Sequence, residues 1–508
     1  MRCLPYPLVA VCALLCGCVG QPLSDVQPDA QNPDWRVHCE TDKSYSLDMK
    51  AIPGVYHGLW LWAEHSPGDV VLLRGQLDGG FFVLDSVVTE SGKELPAEES
   101  SLRQLCLDAI ARDEPRDLAR VLAARDSRDL DVPIIYPGGT PAANQVTRLV
   151  VLGDSLSDAG RLKHRMQVFP GHPYWLGRFS NGPAWPDYLE AATSLAVQNR
   201  SYGGASINPP HDLDEAGLIG FVKDEGRFFV SGSLTDQTES YLQDQNSIPN
   251  IDNPATTAYL IWAGANDYIS KEPVTGLITT FLNRPRGKLG YKSVADETVA
   301  GILEQVRVLY RSGGRHFLLV NMPDLGVTPI VLQNDSYTSG LGLSSDTGRR
   351  VELSRRLSIL SEYHNSVLAI GIENLQSELG DARILLVDSY HMTRSILAKR
   401  FFTDEGGPFD YGFALEALHQ DLQYENRKIG LQQPCYTGVY MGSLDDTQTC
   451  AVAHAAFFWD VIHPSTFTHC WQAYLVGDAL STAGWIEPLP DPQQYRQWCQ
   501  NQVDNLTQ

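Results

Sequence analysis

Four compact runs of β-branched and apolar residues, at 147–152, 259–263, 316–321 and 383–388, constrain this chain more than any other feature. Each is too short for a helix of ordinary length and apolar on alternate and intervening positions alike, the pattern of a strand buried on both faces. Between them lie longer segments, such as 294–310 and 349–375, in which apolar residues recur at three and four. That spacing predicts helices. Strands alternating with helices predict a parallel sheet covered on both sides, a three-layer α/β/α domain over residues 146–486.

Upstream the pattern differs. Short strand-like pieces at 58–62, 70–73 and 81–88, the last two parted by Asp78-Gly79-Gly80, predict a small sheet. Two segments, 102–111 and 117–124, carry helical spacing, and Tyr136-Pro137-Gly138-Gly139-Thr140-Pro141 then breaks the chain. A small β-rich α+β domain over 39–145 is therefore expected, with residues 487–508 left as a C-terminal tail. A length of 508 residues accommodates two to three folded units.

The first twenty residues pair Arg2 with an apolar run at 8–15 and are expected to be an export signal, followed by a Pro- and Asp-rich tether at 21–38. Leu15-Cys16-Gly17-Cys18 resembles a bacterial lipobox, which would leave Cys18 lipid-modified at a new N-terminus, although Cys16 is unusual at its place in that pattern. The expectation carried forward is a lipoprotein of the outer membrane or cell surface. The alternative is cleavage near Gly20 and release as a secreted or periplasmic protein. No later stretch offers about eighteen consecutive apolar residues, so no transmembrane helix is expected in the mature protein.

Six cysteines lie outside the signal: Cys39, Cys106, Cys435, Cys450, Cys470 and Cys499. Among fifteen possible pairings, proximity favours Cys39–Cys106, Cys435–Cys450 and Cys470–Cys499 in an oxidising compartment. No CxxC pair or His/Cys cluster with zinc spacing occurs, so neither a metal nor a cofactor is expected. A formal charge of −22 repels phosphate backbones and argues against nucleic acid.

Chemistry centres on Gly153-Asp154-Ser155-Leu156-Ser157-Asp158, directly after the first predicted strand. A parallel sheet gathers the carboxyl ends of its strands at one edge, where ligands bind, so Ser155 is placed as a nucleophile would be. Alone, such a turn more often caps a helix. Three further stretches give it partners: NRSYGGA at 199–205, Gly264-Ala265-Asn266-Asp267 after the second strand, and Asp460-Val461-Ile462-His463-Pro464. Together they resemble the blocks of the GDSL/SGNH hydrolase family, in order. The resemblance implies a nucleophilic Ser155, oxyanion donors at the Ser155 and Gly204 N–H groups and the Asn266 amide, His463 as base and Asp460 as its orienting carboxylate. Asp154, Asp158 and Asp267 are expected to brace the turns rather than react.

Asp388 and His391 repeat the Asp-x-x-His spacing at the end of the fourth strand, but lack the trailing Pro-Ser of the family pattern and are expected to be structural. His454 and His469 flank the proposed site without a distinguishing context. The stretch RFSNGPAWPDYL at 178–189, with FWDVIHP at 458–464, is similar to the bacterial phospholipase A, lysophospholipase and thermolabile hemolysin branch of the family. That resemblance implies a lipid acyl ester as substrate, contact with a membrane surface, and hydrolysis or transfer to a sterol. Two alternatives stay open: a carbohydrate O-acetyl esterase of the same fold, and a surface binding protein whose hydrolase domain is inactive. The loop between Cys435 and Cys450 is either a regulatory lid or a structural staple. Oligomeric state is unknown from sequence.

Overall fold

The computed structural model describes residues 34–42, 60–112, 117–125, 131–140, 144–166, 170–207, 232–248, 251–271, 278–280, 291–332, 347–401, 410–413, 433–436, 449–450, 456–504 and 506. The signal and its Cys18 lie outside them, as do residues 58–59 of the first expected strand and His454.

A mainly antiparallel sheet comes first, its last short strand pairing parallel. Strands β1 (Trp35–Asp42), β2 (Trp60–Trp62), β3 (Glu64–Ser66), β4 (Asp69–Asp78), β5 (Phe81–Thr89), β6 (Glu94–Leu95), β7 (Asp117–Ala124), β8 (Asp131–Val132) and β9 (Ile134–Ile135) form it, with the path β6-β5-β4-β1-β7-β8. Helix Glu99–Arg112 packs Leu102, Cys106 and Ile110 against Val37, Leu73 and Phe82, and the Cys39–Cys106 bond ties it to β1. Residues 117–124 are a strand and not the expected helix. Their alanines, leucine and arginine are good helix formers, but seven paired positions along β1 override that local preference. Strand β1 also begins inside the segment expected to be a tether, because Trp35 and Val37 are apolar and fill this core.

The second sheet is wholly parallel: β10 (Arg148–Gly153), β11 (Ala196–Asn199), β12 (Thr257–Trp262), β15 (His316–Val320) and β16 (Arg383–Val387) run in the order β11-β10-β12-β15-β16. A separate hairpin joins β13 (Ile269–Lys271) to β14 (Ile278–Thr280). Strand β10 shows why the domain has three layers. Leu149 and Val151 face helices Trp185–Thr193 and Thr466–Thr482, whereas Val150 and Leu152 face Leu234–Ser247, Tyr291–Arg311 and Thr347–Glu378. Both faces of the strand are dry, so every residue can be apolar.

Residues 492–504, expected in a tail, form helix Pro492–Asp504, which buries Tyr495, Cys499 and Val503 in the core beneath Trp471 and is bonded through Cys470–Cys499. Apolar residues at three- and four-residue spacing explain its docking. Cys435–Cys450 forms the third disulfide.

Candidate active site

Counted from β10, the parallel order reads 2-1-3-4-5, so the chain turns in opposite directions on leaving the β10/β12 boundary. In open parallel sheets ligands bind at the carboxyl edge beside such a boundary. Ser155 follows β10, Gly204 follows β11, and Asn266 follows β12 in the short helix Ala265–Tyr268. Three candidates from three strands thus share one edge. Gly153, the last residue of β10, sits opposite Trp262, where a Cβ would lie 2.4 Å from the Trp262 carbonyl oxygen. Only glycine lets the two strands close below Ser155.

His463 arrives from the other end of the domain. Its Nε2 lies 2.8 Å from Ser155 Oγ, and its Nδ1 lies 2.7 Å from Asp460 Oδ2. The other carboxylate oxygen, Oδ1, accepts the backbone N–H groups of Ile462 and His463 at 2.8 and 2.7 Å. Both side chains are buried, whereas Ser155 is half-buried and open to a ligand. Burial alone would raise the Asp460 carboxyl; the facing His463 and the donated hydrogen bonds outweigh it and hold Asp460 below the ordinary carboxylate value. With Nδ1–H donating to that carboxylate, Nε2 is left as an acceptor for the serine proton.

Hydrogen bonds sew the sequence blocks together. Asn266 donates through Nδ2 to the Ala205 carbonyl at 3.0 Å, which joins the stretch at 264–267 to that at 199–205 and leaves the amide's second hydrogen uncommitted to Ala205. Asp267 accepts the Ile207 N–H at 3.2 Å, and Asn199 donates to the Ser157 carbonyl. Asp158 accepts four backbone N–H groups, from Gly160, Arg161, Leu162 and Gly203. Gly204, next to that last donor, takes φ +81°, a conformation strained for any residue with a Cβ. The aspartates are therefore braces, and burial dominates their ionisation: it pushes Asp154 up to about 7 and Asp158, despite its four donors, up to about 6.

His391 stands apart. It is exposed on helix Ser389–Phe401 after β16, three strands from β10, or about 14 Å at one strand spacing per step. His469 is buried near His463, and burial first, then the His463 charge, depresses it to about 3, so it stays neutral. Two contacts were not legible in the sequence. The Tyr174 hydroxyl donates to Asp460 Oδ2 at 2.8 Å, and the Phe179 ring lies 4.8 Å from that of His463. Phe179 belongs to the stretch at 178–189 that carries the resemblance to the phospholipase branch, but nothing in that stretch points to His463. Tyr174 carries no local signal, since its partner is 286 residues away.

The chain matches the GDSL-like Lipase/Acylhydrolase family model over residues 149–476. It is similar to a thermolabile hemolysin of Vibrio parahaemolyticus, 23% identical over 453 residues that cover 86% of this chain and 85% of that protein. It is also similar to a phosphatidylcholine-sterol acyltransferase of Aeromonas hydrophila, 22% identical over 64% of this chain and 87% of that one. A GDSL lipase of Tanacetum cinerariifolium is 23% identical over 65% of this chain and 83% of its own length. With the matched span taking in the parallel sheet, the Ser155 loop and His463, the chain belongs to the GDSL-like lipase/acylhydrolase family.

Proposed function

We propose that this protein is a serine ester hydrolase acting on lipid acyl esters, as a phospholipase A or lysophospholipase, with transfer to a sterol as an alternative fate of the acyl group. The observation that carries the reading is the 2.8 Å contact between Ser155 Oγ and His463 Nε2, with Asp460 behind the imidazole. In this mechanism Nε2 takes the Ser155 proton as the oxygen attacks the ester carbonyl, and Asp460 stabilises the imidazolium that forms. The Ser155 and Gly204 N–H groups and the Asn266 amide meet the tetrahedral oxyanion. The imidazolium then protonates the leaving alcohol. Water, deprotonated by the same His463, releases the acid from acyl-Ser155; an alcohol in place of water gives acyl transfer.

The lipid substrate class is supported by the named activity of the phosphatidylcholine-sterol acyltransferase relative and by the resemblance of the stretch at 178–189 to the phospholipase and hemolysin branch. Three disulfides suit an exported protein, and export through the first twenty residues, with Cys18 as lipid anchor and a membrane surface as the place of work, completes the proposal. Product analysis with phospholipid, lysophospholipid and phospholipid plus sterol tests it. Free fatty acid or sterol ester is the expected product. Release of acetate from an acetylated polysaccharide with no lipid cleavage would replace the lipid reading with the carbohydrate esterase. Failure of a fluorophosphonate to label Ser155 would leave the inactive binding protein.

A further inference from the structure

A buried ionic chain crosses from the antiparallel sheet into the hydrolase domain. Glu40 of β1, 1% exposed, accepts Arg120 Nε of β7 at 2.6 Å and Arg178 Nη1 at 2.8 Å. Arg178, also 1% exposed, grips Asp187 with two bonds of 3.1 and 2.8 Å, and Arg120 reaches Glu190 at 2.5 Å. Buried ion pairs gain little stability over a well-packed apolar contact, because desolvation offsets the attraction; in some proteins what they enforce is geometry. The geometry enforced here is that of the loop carrying Arg178. Its backbone is closed on itself, Trp175 N–H to the Ser180 carbonyl at 2.9 Å and Arg178 N–H to the Trp175 carbonyl at 2.8 Å. One flank of that loop is Tyr174, bonded to Asp460, and the other is Phe179, against the His463 ring. Asn181, just beyond, accepts the Thr466 N–H at the start of the helix that follows His463.

We propose that Glu40 is a positioning residue for the Ser155–His463–Asp460 set, acting through Arg178 to hold Tyr174 against Asp460 and Phe179 against His463. The antiparallel sheet is then part of the active-site scaffold rather than an appendage. The inference rests on the proposed serine mechanism. Glu40 touches none of the reacting atoms. Its effect is on the orientation of the imidazole, so it acts on the chemical step and leaves binding of a small ester unchanged.

The test uses the full chain and a soluble short-chain p-nitrophenyl ester. Glu40→Gln and Tyr174→Phe are each expected to lower kcat about tenfold, the scale of one hydrogen bond to a charged group, with KM within about twofold. Because both act on one contact, the double variant falls no more than about twofold below the lower single. Glu40→Asp keeps the charge in the interface while withdrawing it by one methylene, and gives the same kcat loss if Glu40→Gln does not fold. Glu190→Gln, which weakens the Arg120–Glu190 pair while leaving the Glu40 carboxylate on Arg178, lowers the melting temperature but keeps kcat within about twofold. Additive losses near a hundredfold in the double variant, wild-type kcat in folded Glu40 variants, or an equal loss in Glu190→Gln would each overturn the proposal. A wild-type protein that neither cleaves the ester nor reacts with a fluorophosphonate removes the serine mechanism itself, a result distinguishable from all of these.

Discussion

Asp460/His463 and Asp388/His391 are built alike and placed differently. In each pair the histidine N–H donates to Asp Oδ1, at 2.7 and 3.0 Å, and Nδ1 pairs with Oδ2. In both places the three-residue spacing lets the carboxylate accept the histidine N–H. Surroundings separate the two: the His463 and Asp460 side chains are 4% and 3% exposed, those of His391 and Asp388 77% and 44%. His463 has Ser155 at its second nitrogen and Tyr174 behind its carboxylate, whereas Asp388 accepts Asn321 and caps the helix of His391. What separates the two pairs is place, one facing Ser155 at the carboxyl edge of the sheet and the other facing solvent.

The sharpest way to break that contrast is to remove each imidazole. His463→Ala is expected to lower kcat about 10⁶-fold, the scale of losing the base of a serine triad, while His391→Ala stays within about twofold in an ester hydrolysis assay. A large loss in the second variant would end the comparison. The carboxylates come next: Asp460→Asn is expected to cost about 10⁴ in kcat through the wrong imidazole tautomer, and Asp388→Asn almost nothing, read from the same assay. A third variant probes what the sheet edge supplies to one pair and not the other. Asn266→Ala should cost about 3 kcal/mol of transition-state stabilisation, measured as kcat/KM, with labelling of Ser155 by a fluorophosphonate retained.

The smallest effect lies in pH-dependent stability. Asp460 and Asp388 are both held below their ordinary value: burial opposes this in each, and is outweighed by His463 and its bonds in one and by donors from His391 and Asn321 in the other. A lowered folded value means stability that is present above the unfolded value, near 3.8, and lost as pH falls through the folded one. Urea unfolding from pH 6 to pH 2 should therefore decline less steeply in Asp460→Asn than in wild type. Asp388→Asn should show a weaker flattening, because solvent screens the exposed pair.

Much of the site could be read before any coordinates. Ser155, Gly204, Asn266, Asp460 and His463 each sit in a short local pattern, and a strand followed by a tight turn is a local property. The alternating runs likewise implied a sheet dry on both faces. Long-range pairings were a different matter. Whether residues 117–124 form helix or strand depends on β1, some eighty positions earlier, and alanine, leucine and arginine in isolation favour the helix. The order β11-β10-β12 follows from crossover connections, not from any strand's composition. Tyr174 on Asp460, and Glu40 on Arg178 across 138 residues, leave no periodic or compositional trace, since a tyrosine or glutamate looks the same whether or not its partner arrives.

Ser155 and His463, which meet in the folded protein, are separated by 308 positions. At ribosomal speeds of about 5–20 residues per second, Ser155 emerges roughly 15 to 60 seconds before His463 exists. Throughout that interval a nascent chain carries an ordinary alcohol and no means of ionising it, however well its first strands have assembled. A chain that ends anywhere between the two positions carries the serine without the imidazole that faces it in the folded protein.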